Sequence, residues 1–177
     1  MNKDLKIPIA RTDLKKTDID SVKDVLESGW LVQGTKVREF ESKWSHFTGA
    51  KNSIAVTSCT AALHLSLVAL GFKPGDEAIV PAFTWISTAN VVEQLGGKVV
   101  FCDIDLETFN LDVGHLAGLF SPKTKAILPV HLFGLSADIK TIKEMADSKG
   151  VMVIEDAACG FGTEYFGKHV GTFGDTG

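Results

Sequence analysis

From Gly49 to the end of the chain, short apolar runs alternate with helical segments, and this rhythm limits the possible folds more than any other feature. Strands are predicted at 53–57, 77–81, 98–102, 124–130 and 151–155. Helices are predicted at 60–70, 86–95 and 138–149, with a helical or irregular piece at 112–120. Consecutive parallel strands cannot be joined by a tight turn and need a crossover, usually a helix. Strands that are apolar along their whole length must be covered on both faces. The expectation is an α/β fold with a mainly parallel, mixed sheet in a three-layer α/β/α arrangement. Lys73-Pro74-Gly75-Asp76 and Lys149-Gly150 stand where helices should stop.

Upstream, Ile19, Val22, Val25 and Leu26 recur at helical spacing over 15–28, and Gly29 ends that helix. A second helix over 35–47 puts Val37, Phe40, Trp44 and Phe47 on one face. Residues 1–48 therefore read as a helical amino-terminal segment and 49–177 as the α/β domain, with no internal repeat, low-complexity tract or linker.

Composition narrows the function. At 177 residues the chain is long enough for one domain, burying about 70 % of the surface its unfolded form exposes. A net charge of −4 disfavours nucleic acid as a partner. The amino terminus lacks the apolar core of a signal peptide, and no apolar run is long enough to span a bilayer. The three cysteines, Cys59, Cys102 and Cys159, are odd in number and widely spaced, which suits reduced thiols and a cytoplasmic location.

Chemistry concentrates at predicted strand ends. Val151-Met152-Val153-Ile154 delivers Glu155 and Asp156 to the carboxyl end of its strand, where parallel sheets bind ligands. A buried Asp needs a cation or several donors, and a protonated pyridine nitrogen is such a cation. Glu155 alternates to the other side and reads as structural. In Thr57-Ser58-Cys59-Thr60-Ala61-Ala62, a strand-to-helix turn offers backbone amides that suit a phosphate, although ordinary N-capping is an equal reading. Pro81-Ala82-Phe83-Thr84-Trp85 brings an aromatic to the same edge, for a planar ring or for plain core packing. His131 ends a strand on that side and is a candidate to line the pocket. There is no P-loop, no dinucleotide fingerprint, no Gly-x-Ser-x-Gly elbow and no Cys/His metal spacing, so no metal site is expected.

Ile7-Pro8, Ser28-Gly29-Trp30, Gly34-Thr35-Lys36-Val37, Phe83-Thr84-Trp85, residues 105–112, His131-Leu132-Phe133-Gly134 and Glu155-Asp156-Ala157-Ala158 together resemble the DegT/DnrJ/EryC1/StrS family of pyridoxal-phosphate sugar aminotransferases. The resemblance implies a fold type I large domain, a smaller carboxyl-terminal domain absent from these residues, and a homodimer. It also implies pyridoxal 5'-phosphate as cofactor, with amino transfer from glutamate to a keto carbon of a nucleotide-linked sugar, in cell-surface polysaccharide or amino-sugar synthesis.

By position, Ser58, Cys59, Thr60 and Ala61 would hold the phosphate, Trp85 would stack on the ring, Asp156 would face the pyridine nitrogen and Cys159 the phenolic oxygen. Trp30 and His131 would border the sugar. The family's Schiff-base lysine falls beyond the segment Gly171-Thr172-Phe173-Gly174-Asp175, so no catalytic residue is expected in this chain, which should be silent alone. Lys168 matches a non-catalytic hairpin. The rival readings are a dehydratase of the same family, with histidine in place of lysine, and a cofactor-free remnant.

Overall fold

The computed structural model describes residues 11–177; Ile7-Pro8 and the start of the amino-terminal segment lie outside the described residues. By its contacts the chain divides into two compact units, one ending at Glu39 and the other running from Phe40 to Gly177. The division falls inside the second helix instead of after it.

In the first unit, α1 (Lys16–Ser28) opens where the Asp18 carboxylate accepts the Lys15 amide at 2.9 Å. It closes on Gly29, whose φ of 69° is the left-handed cap that glycine adopts without strain. In the loop that follows, Trp30 Nε1 donates to the Gln33 carbonyl at 3.2 Å. A Cβ on Gly34 would collide with that indole ring, so any larger residue there would have to displace it. The second helix, α2 (Thr35–Thr48), begins at the next residue.

The second unit carries the sheet: β1 (Glu77–Pro81), β2 (Lys98–Cys102), β3 (Thr124–Ile127) and β4 (Met152–Val153), in spatial order β2-β1-β3-β4 and all parallel. The helices are α3 (Cys59–Ala69), α4 (Ser87–Gln94), the short α5 (Val113–Leu116) and α6 (Ile139–Lys149). Side chains alternate across the strands. Ala78, Val80, Ala126, Leu128 and Ile154 pack with Leu63 and Leu67 of α3 and with Val91 and Val92 of α4. Ile79, Ile127 and Val153 pack on the opposite face with Leu116 of α5 and with Ile139, Ile142 and Ala146 of α6. These are the three layers that the apolar strand pattern required.

The sequence of crossovers reverses between β1 and β3. β2 lies on one side of β1, and the chain then returns past β1 to place β3 and β4 on the other. A crevice opens outside the carboxyl ends of the strands at such a point. β3 stops short of the predicted 130 because Pro129 has no amide to donate. The chain nevertheless stays paired there, with Asp156 N–H donating to Pro129 O at 2.9 Å and His131 N–H to Asp156 O at 3.1 Å. A separate antiparallel hairpin, β5 (Glu164–Tyr165) and β6 (Lys168–His169), matches the predicted turn.

The strand predicted at 53–57 does not form. A strand needs a hydrogen-bonding neighbour, and in its place the Ala55 amide donates to the Glu41 carboxylate at 2.9 Å, while Ser45 Oγ donates to Ser53 Oγ at 2.7 Å. Ile54 is left 81 % exposed.

Candidate active site

Three chain segments meet at the carboxyl ends of the strands, and Asp156 is where they meet. β4 runs out through Ile154 and Glu155 to Asp156, which is 5 % exposed. Its Oδ1 accepts the Ala158 amide at 3.2 Å and the Cys59 thiol, the first residue of α3, at 3.7 Å. Its Oδ2 accepts the hydroxyl of Thr88, in the first turn of α4, at 2.9 Å. Thr88 is fully buried, and Thr84 Oγ1 lies 3.3 Å from its hydroxyl. Because Thr88 commits its proton to Asp156, Thr84 is the donor in that second contact.

A carboxylate has about four acceptor positions. Oδ1 has two donors and Oδ2 one, so the free position is on Oδ2, the atom that Thr88 holds. A buried carboxylate with one acceptor position left suits a single N–H cation. The same arrangement acts on Cys59: the surrounding protein first, and the Asp156 carboxylate second, push its thiol up to about 11. Cys59 is therefore a neutral donor at neutral pH.

α3 starts as a capped helix. Ser58 Oγ accepts the Ala61 amide at 3.1 Å and Ser58 O accepts the Ala62 amide at 3.0 Å. Thr60 Oγ1 donates to Ser87 Oγ at 2.9 Å, tying the start of α3 to that of α4. The capping reading and the phosphate reading thus divide the turn between them: Ala61 is engaged by Ser58, while the amides of Cys59 and Thr60 have no acceptor among the described residues. Those two amides at the positive end of the helix suit an anion.

Trp85 sits at the opening of α4, where its carbonyl accepts the Thr88 amide at 3.1 Å. Its side chain is 76 % exposed, so it is not packed in the core that these residues form. Cys159 is also exposed. His131 lies elsewhere: it is fully buried, its Nδ1 accepts the Ala137 amide at 3.2 Å, and its Nε2 is 2.9 Å from Glu155 Oε2. Since Nδ1 is an acceptor, Nε2 carries the proton and donates to Glu155. The structure thus places His131 beneath the site as a holder of Glu155, not at a surface that a sugar reaches. Trp30 stays in the amino-terminal unit, 63 % exposed.

Glu155 is structural, as its alternation with Asp156 suggested, and it organises more of the chain than sequence could show. Besides His131 it accepts the amides of Gly171 at 2.8 Å, Phe173 at 2.6 Å and Gly174 at 2.6 Å. Burial alone would raise its carboxyl; the His131 donor and the Gly174 and Gly171 amides outweigh that and hold it below the usual carboxylate range. Sequence also missed Thr84, Ser87 and Thr88. A hydroxyl in the first turn of a helix reads as a cap, and nothing local distinguishes one whose partner is 68 residues away.

An open groove of about 530 Å³ lies between α6 and the β5–β6 hairpin, lined by Lys140, Lys143, Lys168, Tyr165, Phe166 and Phe173 among others. Its cations are already engaged: Lys143 by Asp147, Lys140 by Glu144 at 4.0 Å, and Lys168 by the Thr172 carbonyl at 2.6 Å and the Phe173 ring at 4.3 Å. Among the described residues there is no cluster of metal-ligating side chains and no helix long and apolar enough to cross a membrane.

The model of the DegT/DnrJ/EryC1/StrS aminotransferase family matches residues 12–177. Three solved structures similar to this chain set the range. A Streptococcus pneumoniae protein assigned as a sugar aminotransferase, Spr1654, with structures in pyridoxal-phosphate and pyridoxamine-phosphate forms, is 32 % identical over 96 % of this chain with a TM-score of 0.91. A 3-amino-5-hydroxybenzoic acid synthase is 38 % identical over 94 % with a TM-score of 0.88. A GDP-4-keto-6-deoxymannose-3-dehydratase is 31 % identical over 96 % with a TM-score of 0.90. The chain spans less than half of each of them, 46, 44 and 45 % respectively.

Proposed function

We propose, since the chain belongs to the DegT/DnrJ/EryC1/StrS aminotransferase family, that it forms the cofactor half of a pyridoxal-phosphate enzyme moving an amino group from glutamate to a keto carbon of a nucleotide-linked sugar. The observation that carries this reading is the buried Asp156 carboxylate with one acceptor position free on Oδ2, above a sheet whose crossovers reverse beside it. When bound, pyridoxal phosphate supplies an electron sink that becomes stronger as its ring nitrogen is protonated.

The residues present fit that group. Asp156 would accept the ring N–H and keep that proton in place, a charge-assisted bond worth about 1.5–3 kcal/mol net. Thr88, Cys59 and the Ala158 amide fix the carboxylate, so little motion is needed when charge develops. The open amides of Cys59 and Thr60 would receive the phosphate, with Ser58 and Ala61 holding the turn in shape. The exposed Trp85 would cover one ring face and exclude water from it. Cys159 would lie near the phenolic oxygen as a weak donor. Lys168, the one lysine after Asp156, is held by the Thr172 carbonyl and the Phe173 ring. On this reading the anchoring amine is a lysine of the full-length enzyme beyond the 171–175 segment, and that enzyme works as a homodimer in the cytoplasm.

The dehydratase at 31 % identity supports a second reading, removal of a sugar hydroxyl by the same cofactor. Both are tested with the full-length gene product, glutamate and a nucleotide-linked keto sugar: an aminated product supports transfer, and a deoxygenated product supports dehydration. Borohydride reduction of the loaded protein should leave one pyridoxyl group on a lysine past Gly177. A single stoichiometric adduct on Lys168 overturns that placement, and failure to retain the cofactor at all overturns the function.

A further inference from the structure

Asp156 is held from two sides, and the two sides do different work. Oδ1 is fixed by its own turn, through the Ala158 amide at 3.2 Å, and by the thiol of Cys59 at 3.7 Å, a soft and weak donor. Oδ2 has one partner among the described residues, the Thr88 hydroxyl at 2.9 Å, yet it is the oxygen with an acceptor position to spare. The direction of that free position therefore depends on Thr88. Thr88 is itself fixed, being fully buried in the first turn of α4, bonded through its amide to the Trp85 carbonyl at 3.1 Å and approached by the Thr84 hydroxyl at 3.3 Å. The five residues 84–88 thus carry both an exposed aromatic and the group that holds the carboxylate.

We propose that Thr88 is the positioning residue of the cofactor site: its hydroxyl, oriented by Thr84, sets Oδ2 of Asp156 so that the free acceptor position meets the cofactor's ring nitrogen. This rests on the reading of the site as one for a pyridoxal-type ring. Thr88 does not touch the ring; it acts through Asp156. A carboxylate released from Thr88 would rotate about its last bond and meet the ring N–H off line, where a hydrogen bond weakens steeply. Valine is close to threonine in shape but has no hydroxyl, so Thr88→Val removes the proton donor while filling the same space. Thr88→Ser keeps the hydroxyl and removes a methyl group.

The test uses the full-length gene product and two probes, pyridoxamine phosphate and its 1-deaza analogue, in which the ring nitrogen is replaced by C–H; neither needs the anchoring lysine. In the wild type, pyridoxamine phosphate should bind more tightly than the analogue. Thr88→Val should weaken pyridoxamine phosphate about tenfold, the equivalent of one charge-assisted hydrogen bond, and leave the affinity for the analogue unchanged. Thr88→Ser should restore the preference, with melting of the cofactor-free protein measured alongside for all three. A purely structural role for Thr88 would weaken both probes equally, and that result overturns the proposal. A wild type that binds both probes equally overturns the proposal too, since Asp156 then does not read the ring nitrogen, whereas a wild type that binds neither overturns the cofactor reading on which it rests.

Discussion

Replacing Glu155 with Gln tests whether the 171–174 turn is held as described. Glu155 Oε1 accepts the amides of Phe173 and Gly174, each at 2.6 Å, and Oε2 accepts His131 Nε2 at 2.9 Å and the Gly171 amide at 2.8 Å. Gln keeps one oxygen and turns the other into a donor. Whichever way the amide sits, two buried donors then face an NH2 group. Each orphaned donor costs about 1–3 kcal/mol, so the substitution should cost about 2–6 kcal/mol before relaxation. That is a large share of the roughly 5–15 kcal/mol that holds a domain of this kind together.

Urea unfolding should therefore show a lower midpoint at unchanged slope, and hydrogen exchange should quicken at the amides of 171, 173 and 174. The pH dependence gives a second sign. Glu155 is held below its ordinary value when folded, so its contribution is complete above the unfolded value of about 4.3. It is lost as pH falls through the lower folded value, and wild type and variant should converge in acid. A variant within about 0.5 kcal/mol of the wild type at neutral pH, or unchanged exchange in the 171–174 turn, refutes the argument.

Other consequences follow from the same geometry. Trp85→Ala should leave the melting temperature of the cofactor-free protein nearly unchanged, because the ring is 76 % exposed, and should weaken cofactor binding by about two- to thirteenfold, the equivalent of 0.5–1.5 kcal/mol of stacking; a large fall in melting temperature with unchanged affinity would return it to the core. Cys59, pushed up to about 11, and Cys102, pushed up to about 12 by burial and then by Asp112 and Asp103, should both react slowly with thiol reagents at pH 7.5. Asp156→Asn should speed Cys59 and leave Cys102 alone, and equal rates for Cys59 in the two proteins would contradict the contact between them.

The fold was legible because its signals are local and repeated. The strands 77–81 and 98–102 fall where their apolar pattern placed them, and Gly29 and Gly150 end helices in the left-handed conformation that glycine favours. The strand at 53–57 was misread because apolarity measures burial, while a strand also needs a neighbour to bond. The buried place of Asp156 at a strand end was legible because a carboxylate there is costly and therefore informative. The positions of His131 and Thr88 were not, since each depends on a partner brought from far along the chain: Glu155 for one and Asp156 for the other. A hydroxyl or an imidazole has many satisfactory environments, and only the packed fold chooses among them.

The central claim, that Asp156 holds a protonated pyridine nitrogen, is tested most directly by the nitrogen-15 shift of ring-labelled pyridoxamine phosphate bound to the full-length gene product. The ring nitrogen should be protonated in the wild type at a pH where the free cofactor's nitrogen is already neutral, and neutral in Asp156→Asn. A wild-type ring nitrogen that titrates like the free cofactor, or a shift that Asp156→Asn leaves unchanged, contradicts it.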